Sequence, residues 1–264
     1  MRLLARTFAA VVTCATAAVP MVAAQAPPAA AAPSWAPAAT APIHPGVQTV
    51  TAGGQCTANF VFYDASNTVY IGQAAHCSGT GGATETNGCD SGSLPLETPV
   101  QVGGASQPGT MVYNSWLAMQ AAGETNPDAC AFNDLALVRL NPADFGKVNP
   151  SIPLWGGPSG IDTNGTVQGE NVYSYGNSSL RGGATQLSPK QGVSLGDDGN
   201  GWSHNVYTAT PGIPGDSGSA FLNSAGAALG VLSTVQIAPL AGSNGVGDVS
   251  REINYMNSHS SLGV

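Results

Sequence analysis

Ser217 stands in Gly215-Asp216-Ser217-Gly218, where flanking glycines let backbone N–H groups converge on a bound carbonyl oxygen. A serine there attacks an acyl carbon when three conditions hold: a base takes its proton, a further group fixes the tautomer of that base, and donors receive the oxyanion. His76, one of four histidines in the chain, closes a strand-like run and is followed at once by Cys77. Asp134 opens a second such run, and a carboxylate buried there needs a partner, since an unpaired one is costly. Each has a plainer reading when taken alone. The serine loop is then only a turn, His76 a core residue, and Asp134 the partner of Arg139 or of backbone N–H groups.

The elements that must position these residues read as short strands. Residues 59–74 predict a β-hairpin: Phe60 to Tyr63, a turn at Asp64 to Asn67, then Thr68 to Ile71 leading directly into Gln73-Ala74-Ala75-His76-Cys77. Further strands are expected at Val100 to Val102, Met111 to Leu117, Asp134 to Leu140, Thr166 to Tyr175, Asn205 to Ala209, Ser219 to Leu222 and Ala227 to Thr234. Asn141 to Gly165, rich in Pro, Gly and Asn, reads as the connection between two halves. Residues 249–259 lack Gly and Pro and carry apolar residues at 249, 253 and 256, which predicts a C-terminal helix capped by Asp248.

Composition narrows the function classes. Only 8% of the 264 residues are charged and the formal net charge is −8, so neither nucleic acid nor an anionic membrane is an expected partner. Arg2 and Arg6, the apolar run Phe8 to Val22 and the small residues Val22-Ala23-Ala24 read as an export signal over 1–24, cleaved after Ala24. Residues 25–46, mostly Ala and Pro, read as an extended linker or a short pro-segment. Removal of Cys14 with the leader leaves Cys56, Cys77, Cys89 and Cys130, an even set that favours two disulfides in an exported chain, with three pairings open. No two histidines stand at ligand spacing, so no metal or cofactor is expected.

QAAHC at 73–77, NDLALVRL at 133–140 and PGDSGSAF at 214–221 together resemble the chymotrypsin-like serine peptidases in order, spacing and local residues. The resemblance runs from about Cys56 to the C-terminal helix and is nearest to the bacterial, streptogrisin-like branch. It implies an all-β fold of two packed antiparallel β-barrels, the first at about 47–145 and the second at about 160–247, followed by a short helix at about 249–259. By position it implies Ser217 as nucleophile, His76 as general base and acid, Asp134 as its orienting partner, and the Gly215 and Ser217 N–H groups as the oxyanion hole. Ser233, Thr234 and Val235 are implied to contact substrate, with Ser233 beneath the Asp134–His76 pair, and Cys56–Cys77 with Cys89–Cys130 to form the bridges. The expected activity is that of a secreted, monomeric endopeptidase acting on proteins or peptides. A catalytically silent homologue that binds an extracellular partner is the alternative, whereas the reversed triad order and Ser219 argue against an α/β-hydrolase esterase.

Departures from the family pattern carry their own expectations. No Ile-Val-Gly-Gly start precedes the first strand, so Asp216 needs a cation other than a new N-terminus; Arg181 is the candidate, with a solvated loop arginine the simpler expectation. No cysteine flanks Ser217 to brace the specificity pocket, and Pro211 stands six residues before Ser217, where trypsin-like members place an aspartate. Small or apolar residues nearby, Thr234, Val235 and Gly245, suggest an uncharged, medium-sized side chain before the scissile bond. His204 reads as an edge-strand histidine facing water, with recognition of an acidic substrate side chain, as in some Glu-specific relatives, the alternative, and Asp197-Asp198 as a solvated turn with calcium binding as the alternative.

Overall fold

The computed structural model describes residues 32–52, 54–82 and 85–264; the expected leader with its cleavage site and Cys14 lies outside them. Strands β1 (Gln48–Thr51), β2 (Gly54–Thr57), β3 (Val61–Tyr63), β4 (Val69–Ala74), β5 (Pro99–Val102), β6 (Gly109–Asn114) and β7 (Leu135–Arg139) form a curled antiparallel sheet in the order β2-β1-β5-β6-β7-β4-β3. Strands β8 (Asn171–Tyr175), β9 (Pro189–Asp198), β10 (Ser203–Thr208), β11 (Ala220–Leu222), β12 (Ala228–Val235) and β13 (Asn244–Asp248) close into a barrel in the order β10-β13-β12-β11-β8-β9. Helices α1 (Ser115–Ala122), α2 (Pro127–Phe132) and α3 (Val249–His259) complete the fold.

Burial explains which strands are central. Every residue of β4 is buried, as are the first four of β7, so these neighbours read as continuous apolar runs, whereas β5 alternates exposed and buried as a half-buried strand does. Leu135 and Leu137 of β7 share an apolar cluster with Leu222 of β11, Val231 of β12 and Met256 of α3. That cluster joins the two sheets and brings the C-terminal helix against both. Among the described residues no helix is long and apolar enough to cross a membrane.

Several expectations change. The strand expected over Met111 to Leu117 ends at Asn114, whose Oδ1 accepts the N–H groups of Trp116 and Leu117 and so caps α1. Asn126 does the same for α2, with Pro127 in its first turn. The glycines and polar residues of the long strand β9 and the buried strand β13 imitate loop composition, so their sequences do not announce strands. Asp248 caps α3 by accepting the Arg251 N–H at 2.8 Å, at the position expected.

The linker expected over 25–46 is packed against the first sheet in its described later part. The Ala36 N–H donates to the Val148 carbonyl at 2.9 Å, Asn149 Nδ2 returns a bond to the Ala36 carbonyl at 2.7 Å, and Ile43 is fully buried in a parallel bridge with Val148. Ala/Pro composition left the backbone free to extend, and the apolar Ile43 with an edge-to-face contact between Trp35 and Tyr63 then fixed it to the domain.

Candidate active site

The pairing of β4 with β7 sets Ala74 opposite Leu135, so the 3₁₀ turn Ala75–Ser78 that follows β4 meets the residue that precedes β7. His76 and Asp134 meet there. Asp134 Oδ1 accepts the His76 backbone N–H at 2.8 Å, and Asp134 Oδ2 lies 2.6 Å from His76 Nδ1 and accepts the Ser233 hydroxyl at 2.6 Å. Burial opposes a charge on His76, yet the Asp134 charge and hydrogen bond outweigh it and raise its pKa above the ordinary 6.5. With Nδ1–H committed to the carboxylate, Nε2 carries the lone pair that can take a proton.

Ser217 lies in the loop between β10 and β11, and neighbouring backbone from the first sheet shapes that loop. Gly218, at φ +88°, has no room for a Cβ, which would stand 2.5 Å from the Thr57 carbonyl oxygen. Gly215, at φ +93°, presents its carbonyl to Thr57 Oγ1 at 2.8 Å and Gln55 Nε2 at 2.9 Å. Those bonds occupy the carbonyl, and among the described residues neither the Gly215 nor the Ser217 N–H has a protein acceptor. A cleft of about 600 Å³ is lined by His76, Ser217, Leu232, Ser233, Thr234 and Val235, among others. Ser217 Oγ and His76 Nε2 share this cleft without a hydrogen bond between them, a bond that such sites often tighten only around substrate.

The carboxylate of Asp216 is fully buried and points away from the cleft. It receives Arg181 Nη2 at 2.5 Å, Lys190 Nζ at 2.9 Å, and the N–H groups of Ser178 at 3.0 Å and Ile213 at 3.1 Å. Arg181 is thus not the solvated loop residue expected: its side chain is 7% exposed because the buried carboxylate demands charge. Lys190 was missed altogether. It is fully buried on β9, where Asp216 holds its ammonium against the burial and the Arg181 charge that lower its pKa. Its signal was a lone lysine within the unrecognised strand.

His204 is likewise corrected from water-facing to fully buried, with Nδ1 2.7 Å from Asp197 Oδ1 and Nε2 3.1 Å from Asp248 Oδ2. Burial opposes its charge, but both carboxylates raise its pKa above 6.5. Asp197 is no simple solvated turn, since it also accepts the Thr166 N–H and hydroxyl. Asn244 was not foreseen either: its Oδ1 accepts the Gly212 N–H at 2.8 Å and its Nδ2 donates to the Thr234 carbonyl at 3.1 Å. These bonds tie together two walls of the cleft where no disulfide does.

Cys56 is bridged to Cys77 and Cys89 to Cys130. The first bridge fastens β2 to the turn bearing His76. Cys56, His76 and Cys77 are the one group of ligand-type side chains clustered closely enough for a metal among the described residues, and its two sulfurs are consumed by the disulfide.

The fold resembles that of solved structures. Thermobifida fusca Protease A superposes with a TM-score of 0.53 at 15% identity, covering 81% of this chain and 96% of that one. The chain has the chymotrypsin-type fold. A glutamic-acid-specific serine protease that uses a histidine triad in substrate binding superposes with a TM-score of 0.50 at 19% identity, covering 81% of this chain and 98% of its own. Structural neighbours of this chymotrypsin-type chain are therefore bacterial serine proteases, as the streptogrisin-like pattern implied. No protein-family model matches the sequence, and no curated protein does.

Proposed function

We propose that the chain is a secreted serine endopeptidase that hydrolyses peptide bonds through an acyl-enzyme. The observation that carries this reading is the bond from His76 Nδ1 to the buried Asp134, which leaves Nε2 in the same cleft as Ser217 and the unpaired Gly215 and Ser217 N–H groups. Ser217 Oγ attacks the scissile carbonyl carbon while His76 Nε2 takes the hydroxyl proton, and the oxyanion receives the two N–H groups. The C–N bond breaks as His76 passes that proton to the departing amine. Water then attacks the acyl carbon as His76 takes one of its protons, the ester C–O bond breaks as His76 returns that proton to Ser217 Oγ, and the released acid ionises to a carboxylate in solvent. Asp134 keeps Nδ1–H in place and stabilises the imidazolium at each stage.

The backbone of β12 from Ser233 to Val235 borders the cleft and suits pairing with an extended peptide. Ile213, Leu232 and Thr234 carry no charge, which supports an uncharged, medium-sized side chain before the scissile bond. The substrate is a protein or peptide; no cofactor enters the chemistry, and the chain acts as a monomer outside the cell, with 1–24 as its leader and 47–264 as its peptidase domain.

A fluorophosphonate probe tests the reading: the wild type acquires a covalent adduct on Ser217 and cleaves a mixed peptide library, and Ser217→Ala does neither. Asp134→Asn lowers kcat by roughly 10⁴, the size known for this substitution in the family. The rate rises with pH through a group above 6.5, because the raised His76 pKa moves the neutral base to higher pH. Absence of both adduct and cleavage in the folded wild type would replace this reading with that of a silent binding homologue.

A further inference from the structure

Behind the His76–Asp134 pair, on the side away from the cleft, α3 delivers a fully buried glutamate, Glu252. Its Oε1 accepts the Asp134 backbone N–H at 2.9 Å, across 118 residues of chain. Asp134 itself is 3% exposed, so water cannot substitute freely for that acceptor. The pocket is built around the carboxyl group: a Cβ on Gly247 of β13 would stand 2.6 Å from Glu252 Oε1. Glu252 Oε2 has no hydrogen-bond partner among the described residues.

The helix that carries Glu252 is fixed from the second barrel. Asp248, four residues earlier, caps α3 and accepts from His204 on β10, whose other ring nitrogen faces Asp197. The groups that influence the Glu252 carboxyl are Asp134 just before β7, Asp248 at the end of β13 and Tyr113 on β6. No cation is among them. Burial and the two aspartates raise the Glu252 pKa well above the ordinary carboxylate value, against the opposing bond from the Asp134 N–H. A neutral carboxylic acid can accept that N–H without setting a second negative charge beside Asp134.

We propose that Glu252 is a positioning residue for the peptidase: by accepting the Asp134 N–H it fixes where β7 presents the Asp134 carboxylate to His76, and so makes the C-terminal helix part of the catalytic support. The inference rests on the peptidase reading for its consequence in turnover but not for its geometry. Because Asp134 Oδ1 holds the His76 backbone N–H and Oδ2 holds its Nδ1, a shift of the Asp134 backbone disturbs both contacts at once. Substrate binding, which uses the cleft on the other side, is left in place.

Two variants separate the acceptor from the charge. Glu252→Gln keeps volume and a carbonyl acceptor in neutral form, and is expected to retain kcat within about threefold. Glu252→Leu keeps volume but leaves a buried N–H unpaired, and is expected to lower kcat by about ten- to a hundredfold with KM within about twofold. Glu252→Met replaces the leucine variant if the latter does not fold. The second readout is His76 by NMR in inhibitor-free protein. Its pKa and downfield Nδ1–H resonance stay near wild type in Glu252→Gln, whereas in the acceptor-free variant the pKa falls towards 6.5 and the resonance weakens. The proposal is overturned if a folded acceptor-free variant keeps wild-type kcat and His76 titration, or if Glu252→Gln loses as much as Glu252→Leu. Should the wild type prove inactive, the peptidase reading fails while the His76 titration still decides the role of Glu252.

Discussion

The two halves of the site are braced by different forces. In the first sheet, covalent bonds do much of the work: Cys56–Cys77 holds the turn bearing His76, and Cys89–Cys130 ties the loop after it to α2, just before Asp134. The second barrel contains no cysteine, and its bracing is polar and buried. Lys190 and Arg181 close on Asp216 beside Ser217, His204 joins Asp197 to Asp248, and Asn244 ties the cleft walls. A disulfide acts chiefly on the unfolded chain by shortening its reach, whereas a buried ion cluster acts on the folded state and loses its balance when one charge goes. The first half should therefore lose stability when its bridges go, and the second when one of its clustered buried charges goes.

The sharpest way to break this contrast is Asp216→Asn, which strands two buried cations. It is expected to destabilise the fold by about 3–5 kcal/mol in chemical denaturation, and to lower the proposed activity through the Ser217 loop. A loss below about 1 kcal/mol would mean that the cluster does not brace the second barrel. Next, Cys89→Ser with Cys130→Ser removes a bridge spanning 41 residues and is expected to cost about 3–4 kcal/mol, with the rate at saturating substrate largely kept in the folded fraction. The smallest effect concerns Lys190→Met, which leaves Arg181 to neutralise Asp216: stability should move by no more than about 1 kcal/mol in either direction. If it falls as far as in Asp216→Asn, both cations are required.

The His204 network sharpens the contrast through pH. Its folded pKa lies above 6.5, so its contribution is fully present below that value and is lost as pH rises through the folded pKa. The thermal stability of the wild type should then fall across neutral to mildly alkaline pH, and His204→Gln should give a flatter profile. Equal slopes in the two proteins would remove His204 from the bracing of the second barrel.

Much of the site was legible because its chemistry is local in sequence. Gly215-Asp216-Ser217-Gly218 needs glycine on either side of the serine loop for backbone reasons that any chain obeys, and the runs leading into His76 and out of Asp134 are apolar enough to announce central strands. The capping by Asp248 was equally local. Helices α1 and α2 were legible in principle from Asn114 and Asn126-Pro127, whose side chains cap the N–H groups that follow them, but their short spans were hidden by strand-like neighbours.

The order of Ser217, His76 and Asp134, the turn residues around them and the apolar runs are properties of short segments, so the amino-acid sequence determined the chymotrypsin-like pattern by itself. The partner of Asp216, the burial of His204 and the bond from Glu252 to Asp134 were decided only in the folded chain. They join positions separated by 7 to 118 residues, and the reason is electrostatic. A lysine, an arginine or a glutamate reads as a surface residue until the fold removes water from it, and only then does its charge require a particular partner.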